Sequence, residues 1–322
     1  MRMDENKRRE IMTRDVRIEW LAMGALAHRQ GDGVLSCSAG VSDMASRYCA
    51  LMADGSPADY ASFYVLRHPR LPWATLLHVQ GDFMRFGGSV RNYSTRIAYE
   101  CGDEQIEAAG GYAALLGALD AMHVYEQADF AASNVFRVVE PPPSPLSSAE
   151  QVLCGALAYA LTHGRRLWIR LGKEERRHAD ELRQSVRLRS LLCVLDHLPA
   201  PWRRQVSMAF SVDGRTPGTL SLLPDVQVVA FHGEIADFGS VAQDGIVVDW
   251  TAPQPTVELA DLQPWTVELE RLAAVSPTAP SQEPSDKATE SGDTSGASSN
   301  MWKIIVPVLA VLALLAYYIL RQ

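Results

Sequence analysis

The stretch "SSAEQVLCGALAYALTHGRRLWIRLG", residues 147–172, decides how the second half of this chain is read. Ser147 and Glu150 stand three apart, the spacing of a capping box, in which each side chain satisfies a backbone N–H at the start of a helix. Val152, Leu153, Ala156, Leu157, Ala160 and Leu161 then recur at intervals of three and four, which gives a helix with one buried face. Gly164 follows where a helix commonly ends in a left-handed residue. "RRLWIRLG" comes next and predicts a short strand.

Downstream, Leu182, Leu188, Leu191, Leu192 and Leu195 predict a second helix from about Glu174 to His197, stopped by "LPAPW". "QVSMAFSVD", "VQVVAFHG" and "GIVVDW" read as strands. Helix, strand, helix and three strands predict an α/β domain over 146–275. Upstream, "EPPPSPLSSAE" (140–150) is a proline-rich break that favours extended backbone. Before it, "VRIEWLAMGAL", "GVLSCSAG", "ASFYVLRH", "PWATLLHVQGD" and "RNYSTRIAYE" are strand-like, with helices expected around 41–53 and 111–127. Residues 14–139 are therefore expected to form a β-rich α+β domain.

Residues 276–300 contain no aromatic residue and no Leu, Ile or Val, so they lack the apolar surface a folded segment buries. They predict a disordered linker spanning roughly 25–30 Å root-mean-square. Beyond it, "WKIIVPVLAVLALLAYYILRQ" holds 17 uncharged residues between Lys303 and Arg321, eleven of them Leu, Ile or Val. As a helix that run is about 25 Å long, at the short end of what crosses a bilayer. Its aliphatic residues favour insertion by about 3–7 kcal/mol. Pro307 falls in the first turn, where a missing N–H costs least. Trp302, Tyr317 and Tyr318 lie near the ends, suited to the interface, and Lys303 and Arg321 can snorkel. Residues 303–321 are expected to be a single-pass tail anchor. "MRMDENKRREIMTRD" at the other terminus has no apolar signal region, so the expected location is a membrane-anchored body in the cytoplasm.

The net charge of −8 and pI near 5.5 argue against a nucleic-acid footprint, which wants a basic face. Cys37, Cys49, Cys101, Cys154 and Cys193 are scattered without a C-x-x-C, and the eight histidines show no ligand spacing, so no metal and no cofactor is expected. No Walker A, dinucleotide fingerprint or nucleophile elbow is present, and no catalytic residue is assigned. The arginine-rich stretch 165–189 interleaves with acids as an ion-paired helix face would. The densest candidate is "GDFMRFGGSVRNYSTRIAYE" (81–100), with Arg85, Gly87, Gly88, Arg91, Asn92, Tyr93 and Arg96. It reads either as a glycine-permitted loop presenting donors to an anion or as a hairpin turn with a solvated charged strand.

Two stretches together resemble the bacterial GTPase-associated protein 1 family. One is "YASFYVLRHPRLPWATLLHVQGDFMRFGGSVRNYSTRIAYE"; the other runs from "LTHGRRLWIRL" to "LDHLPAPWRRQVSMAFSVDG". Gly87, Gly88, Asn92 and Tyr93 fit that family's pattern, while Arg91 and Arg96 stand where it has glycine and histidine. The resemblance, over roughly residues 17–235, implies an accessory protein of NTPase-linked bacterial conflict systems. The expectation is a membrane-tethered adaptor whose partners are the bilayer and a protein, a GTPase or related NTPase. The alternative is an enzyme acting on a nucleotide or phosphate substrate through the Arg85–Arg96 loop.

The anchor yields a direct expectation. Full-length protein remains in the membrane fraction after alkaline washing, and a chain ending at Val275 is soluble without detergent. Release of the full-length protein by the wash refutes the anchor.

Overall fold

The computed structural model describes residues 13–25, 32–52, 61–68, 71–86, 89–120, 134–139, 145–173, 184–212, 226–242 and 245–277. The chain has mixed α/β content arranged around one large sheet. In sequence order the elements are β1 (Thr13–Arg17), β2 (Glu19–Ala25), β3 (Asp32–Cys37), α1 (Asp43–Leu51), β4 (Ala61–Arg67), β5 (Trp73–Phe86), β6 (Ser89–Gly102), α2 (Asp103–Ala108), α3 (Tyr112–Asp120) and β7 (Val135–Val139). There follow α4 (Ser148–Thr162), β8 (Leu167–Leu171), α5 (Val186–Asp196), α6 (Ala200–Arg203), β9 (Ser207–Val212), β10 (Val226–Phe231), a 3-10 segment (Ile235–Ala242), β11 (Ile246–Trp250), β12 (Thr256–Val257) and α7 (Trp265–Ala274).

Ten strands form the order β12-β11-β8-β10-β9-β4-β5-β6-β2-β3. The strands β11, β8, β10 and β9 are parallel, and those from β9 through β3 are antiparallel. The seam is the β4–β9 pair, where Phe63, Tyr64 and Val65 face Phe210, Ala209 and Met208. Residues 14–139 and 146–275 thus share one sheet, and the proline-rich break marks a change from antiparallel to parallel pairing. The expected first strand divides at Ile18: β1 pairs with β7 in a separate two-stranded sheet, and β2 joins the main one.

The sheet is apolar on both faces because both are covered. On one face, α3, α4, α5 and α7 pack over Phe63, Leu76, Ile97, Met208, Phe210, Val228 and Val248. On the other, α1 and the 3-10 segment cover Leu21, Tyr64, Leu77, Ala98, Trp168 and Phe231. The capping box at the start of α4 forms as the spacing predicts: the Ser147 N–H donates to Glu150 Oε2 at 2.7 Å, and the Glu150 N–H donates to Ser147 Oγ at 3.3 Å. Helix α4 is buried on more than one side because α7 lies across it at Gly155, where an added Cβ would sit 3.4 Å from the Trp265 Cα. Of the helix expected over 174–197, the structure shows Val186–Asp196; residues 174–183 lie outside the described residues. Residues 121–127 of the helix expected over 111–127 also lie outside them. Helix α7 has no counterpart among the sequence expectations.

A polar cluster reinforces the seam. Arg67, buried at the end of β4, donates from Nη2 to Asp103 at 2.5 Å, from Nη1 to Tyr112 Oη at 3.0 Å and from Nε to the Arg204 carbonyl at 2.9 Å. The Ser207 hydroxyl accepts from the Arg67 N–H at 3.0 Å. Each nitrogen of this guanidinium thus reaches α2, α3 or the chain entering β9. Removing one partner of such a buried pair strands the others, at a typical cost of about 3–5 kcal/mol.

Asp196 ends α5 and caps α3, accepting from the N–H groups of Tyr112 at 2.8 Å and Ala113 at 3.1 Å. The approach requires glycine at 111: φ is +113°, and a Cβ there would lie 2.4 Å from Asp196 Cγ. Desolvation pushes the half-buried Asp196 carboxyl up to about 6, against the hydrogen bonds that favour its charge. The folded state therefore binds this proton more tightly than the unfolded chain, whose carboxyl titrates near pH 4. Stability lost through Asp196 appears as pH rises from about 4 to about 6 and is constant above that. Denaturant titrations of wild type and Asp196→Asn test this: relative to the variant, wild type loses ~1–3 kcal/mol across that window. A pH-independent difference contradicts it.

Candidate functional site

The stretch 81–100, readable as a loop or as a hairpin, is mostly strand. β5 and β6 pair without interruption from Trp73↔Gly102 to Phe86↔Ser89, leaving only positions 87 and 88 between them. Two adjacent glycines between strands are a two-residue hairpin signal, since such turns demand positive φ. Gly87 and Gly88 themselves lie outside the described residues. The hairpin reading of the backbone holds, and the extended anion loop is replaced by a ribbon.

This ribbon outruns its neighbours. The pairing of β4 with β5 begins at Ala61↔Gln80, and that of β6 with β2 stops at Arg96↔Met23. Positions 81–86 and 89–94 are thus paired, among the described residues, only with each other. Six pairs of residues make an arm about 20 Å long. Arg85 stands opposite Val90, Arg91 opposite Met84, Asn92 opposite Phe83 and Tyr93 opposite Asp82. Adjacent rungs of a ribbon alternate in face, so the Arg85 and Arg91 positions belong to opposite faces.

Arg96 does not belong to the arm. It lies in the body of the sheet between Val79 and Met23, and its side chain is 1% exposed. The expected solvated strand is therefore corrected at this residue, and any anion site built from Arg85, Arg91 and Arg96 together loses its third member. The base of the arm is pinned by Ser94, whose hydroxyl donates to the Met52 carbonyl at 3.1 Å at the end of α1.

A different surface fits a protein partner. Helix α3 is rich in small residues, and Ala113, Ala114, Gly117 and Ala118 line a groove of about 390 Å³ with Val139 of β7 and Cys193 of α5. Val139 is 53% exposed and its neighbour Val135 is 48% exposed, because β7 alternates outward at 135, 137 and 139. Arg137 and Arg189 stand on the groove's rim. Sequence reading did not single out this groove. The signal was present in "GYAALLGALD", which is small at 113, 114, 117 and 118 and large at 112, 115, 116 and 119.

The cysteines form no disulfide. Burial pushes the thiols of Cys101 and Cys154 up to about 12 and that of Cys193 up to about 11, so all three stay protonated and unreactive near neutral pH. No helix among the described residues is long and apolar enough to cross a membrane. The anchor residues Trp302, Lys303, Pro307, Tyr317, Tyr318 and Arg321 lie outside the described residues.

A second polar feature went unread in the sequence. Ser211 at the end of β9 and His232 just after β10 place Oγ and Nε2 3.0 Å apart, both buried. The trace in the sequence is two apolar strands that each finish in phenylalanine and a polar residue, "AFSVDG" and "VAFHG".

The location of Arg96 leads to a measurable outcome. Arg96→Ala lowers folding stability by about 2–4 kcal/mol, the range for truncating a large buried side chain that holds charge. Thermal denaturation tests this, and an unchanged midpoint contradicts the buried placement. No family model matches this chain, and no curated protein matches it.

Proposed function

We propose that this protein is a membrane-tethered adaptor: its α/β body holds a protein partner, a GTPase or related NTPase, and the C-terminal apolar run confines that partner to the bilayer. The observation that carries the reading is the apolar groove between α3, α5 and β7, with Val135 and Val139 exposed beside it. Exposed apolar surface of this kind, rimmed by charge, is the ordinary signature of a protein-binding site. The β5–β6 arm adds a second surface, a paired ribbon extending past the sheet. The NTPase identity of the partner comes from the resemblance carried by Gly87, Gly88, Asn92, Tyr93 and the flanking strands.

Tethering works through effective concentration. A body joined to its anchor by the 276–300 linker samples a thin shell at the bilayer, and a captured partner meets other membrane-bound molecules there far more often than in bulk. No chemistry on the partner is required.

Three variants test this. Deleting 301–322 abolishes the cellular effect while partner binding in solution survives, and an unrelated tail-anchor sequence restores the effect. Val139→Asp, on the exposed face of β7, leaves thermal stability within about 0.5 kcal/mol and weakens binding of the purified partner at least tenfold. Full cellular function from the tail-less body, or unchanged partner affinity in Val139→Asp, overturns the reading.

A further inference from the structure

The carboxyl ends of the parallel strands carry an arrangement that the adaptor reading does not use. Chain leaves β8 through α5, over the face that α4 and α7 cover, and returns as β9. Chain leaves β10 through the 3-10 segment, whose Phe238 packs on the opposite face, and returns as β11. β8 and β10 are neighbours, and the elements that follow them, α5 and the 3-10 segment, lie on opposite faces of the sheet. In open α/β sheets, ligand sites form at carboxyl ends beside such a switch point.

His232 follows β10 at this place, and Ser211 lies on the adjacent strand, with Nε2 and Oγ 3.0 Å apart. Ser211 has φ of +61° and is the one non-glycine residue with positive φ among the described residues. The cause is a bulge: Ala230 pairs with Phe210 and Phe231 pairs with Val212, so Ser211 is the extra residue on β9. The His232 N–H closes the bulge by donating to the Val212 carbonyl at 2.8 Å. A non-glycine residue held in this region is strained, and such strain clusters at functional sites. A serine hydroxyl within hydrogen-bond reach of a histidine nitrogen is the signature of an activated nucleophile. Both side chains are buried, at 0% and 1% exposure, yet His232 directly precedes exposed Gly233 and Glu234, so the pair lies one residue beneath the surface.

We propose that Ser211 is a nucleophile and His232 its general base, in a site that takes small uncharged carboxylic esters. The neighbouring residues set the substrate class. Phe210 and Val212, which flank Ser211, and Phe231, which precedes His232, are buried and uncharged, and Arg170 on β8 is ion-paired with Asp249 and Glu234. A neutral carbonyl suits these uncharged surroundings better than a phosphate. In the reaction, Ser211 Oγ bonds to the carbonyl carbon as its proton passes to His232 Nε2. The tetrahedral adduct expels the alcohol, which takes that proton. Water then gives a proton to Nε2 and attacks the acyl-serine; the carboxylic acid leaves, and the proton returns to Oγ.

Diisopropyl fluorophosphate, with peptide mapping by mass spectrometry, tests the nucleophile, and p-nitrophenyl acetate tests turnover. Ser211→Gly removes the hydroxyl while accepting the positive φ, and His232→Gln keeps a hydrogen-bonding partner but no base; circular dichroism verifies that both fold. The expected result is one diisopropylphosphoryl group on Ser211 in the full-length wild type, loss of that adduct in both variants, and ester hydrolysis reduced about 100-fold or more in each. A folded wild type with no adduct on Ser211, or an adduct forming equally fast in His232→Gln, overturns the proposal. Neither measurement involves the tail or a partner, so its failure leaves the adaptor reading separately testable.

Discussion

Everything in this structure depends on three residue pairs between β4 and β9. Phe63, Tyr64 and Val65 meet Phe210, Ala209 and Met208 across the line where an antiparallel sheet becomes a parallel one. Without that pairing, each half would present a long apolar strand edge to water, an open template for aggregation. The pairing also commits the buried Arg67 at the end of β4, whose guanidinium meets Asp103 and Tyr112 within its own half but reaches the Arg204 carbonyl only across the seam. Burying a guanidinium is costly unless its donors are matched. The cluster therefore works as a register device: the matched arrangement is tolerated, and a shifted one is penalised.

The seam also fixes where the functional candidates lie. Since β4 runs opposite to both β9 and β5, β5 runs parallel to β8–β11. The tip of the β5–β6 arm and the Ser211–His232 pair consequently belong to the same end of the sheet. The groove under α3 has a separate origin. It exists because α3 must approach Asp196 closely at Gly111 and because α3 lines it with only small residues.

Local signals in the sequence were legible, and long-range ones were not. The Ser147–Glu150 capping box and the apolar spacing behind it correctly placed α4, because both act within a few residues. The strands around 61–67, 207–212, 226–231 and 246–250 were legible for the same reason. The division at 140–146 followed a real change in composition, but strand partners roughly 145 residues apart, such as Phe63 and Phe210, leave no local mark. Gly87 and Gly88 invited a loop reading because glycine permits both a loop and a tight turn; only the uninterrupted register of β5 with β6 separates the two. Arg96 illustrates the reverse problem, since a charge in a strand predicts exposure unless the fold supplies a covering helix, here α1. The Ser211–His232 contact arises from a one-residue bulge, and periodicity contains no signal for an insertion of that kind.

The two halves form one cooperative sheet through the β4–β9 seam. Hydrogen exchange by mass spectrometry under increasing denaturant tests it most directly, because it reads the opening free energy of each segment separately. Amides of 61–67 and 207–212 are expected to be among the slowest to exchange. Segments from 73–102 and from 148–171 should converge with them on one global unfolding free energy. Opening of 13–139 at lower denaturant than 145–277, with β4 and β9 exchanging independently, would contradict a shared sheet.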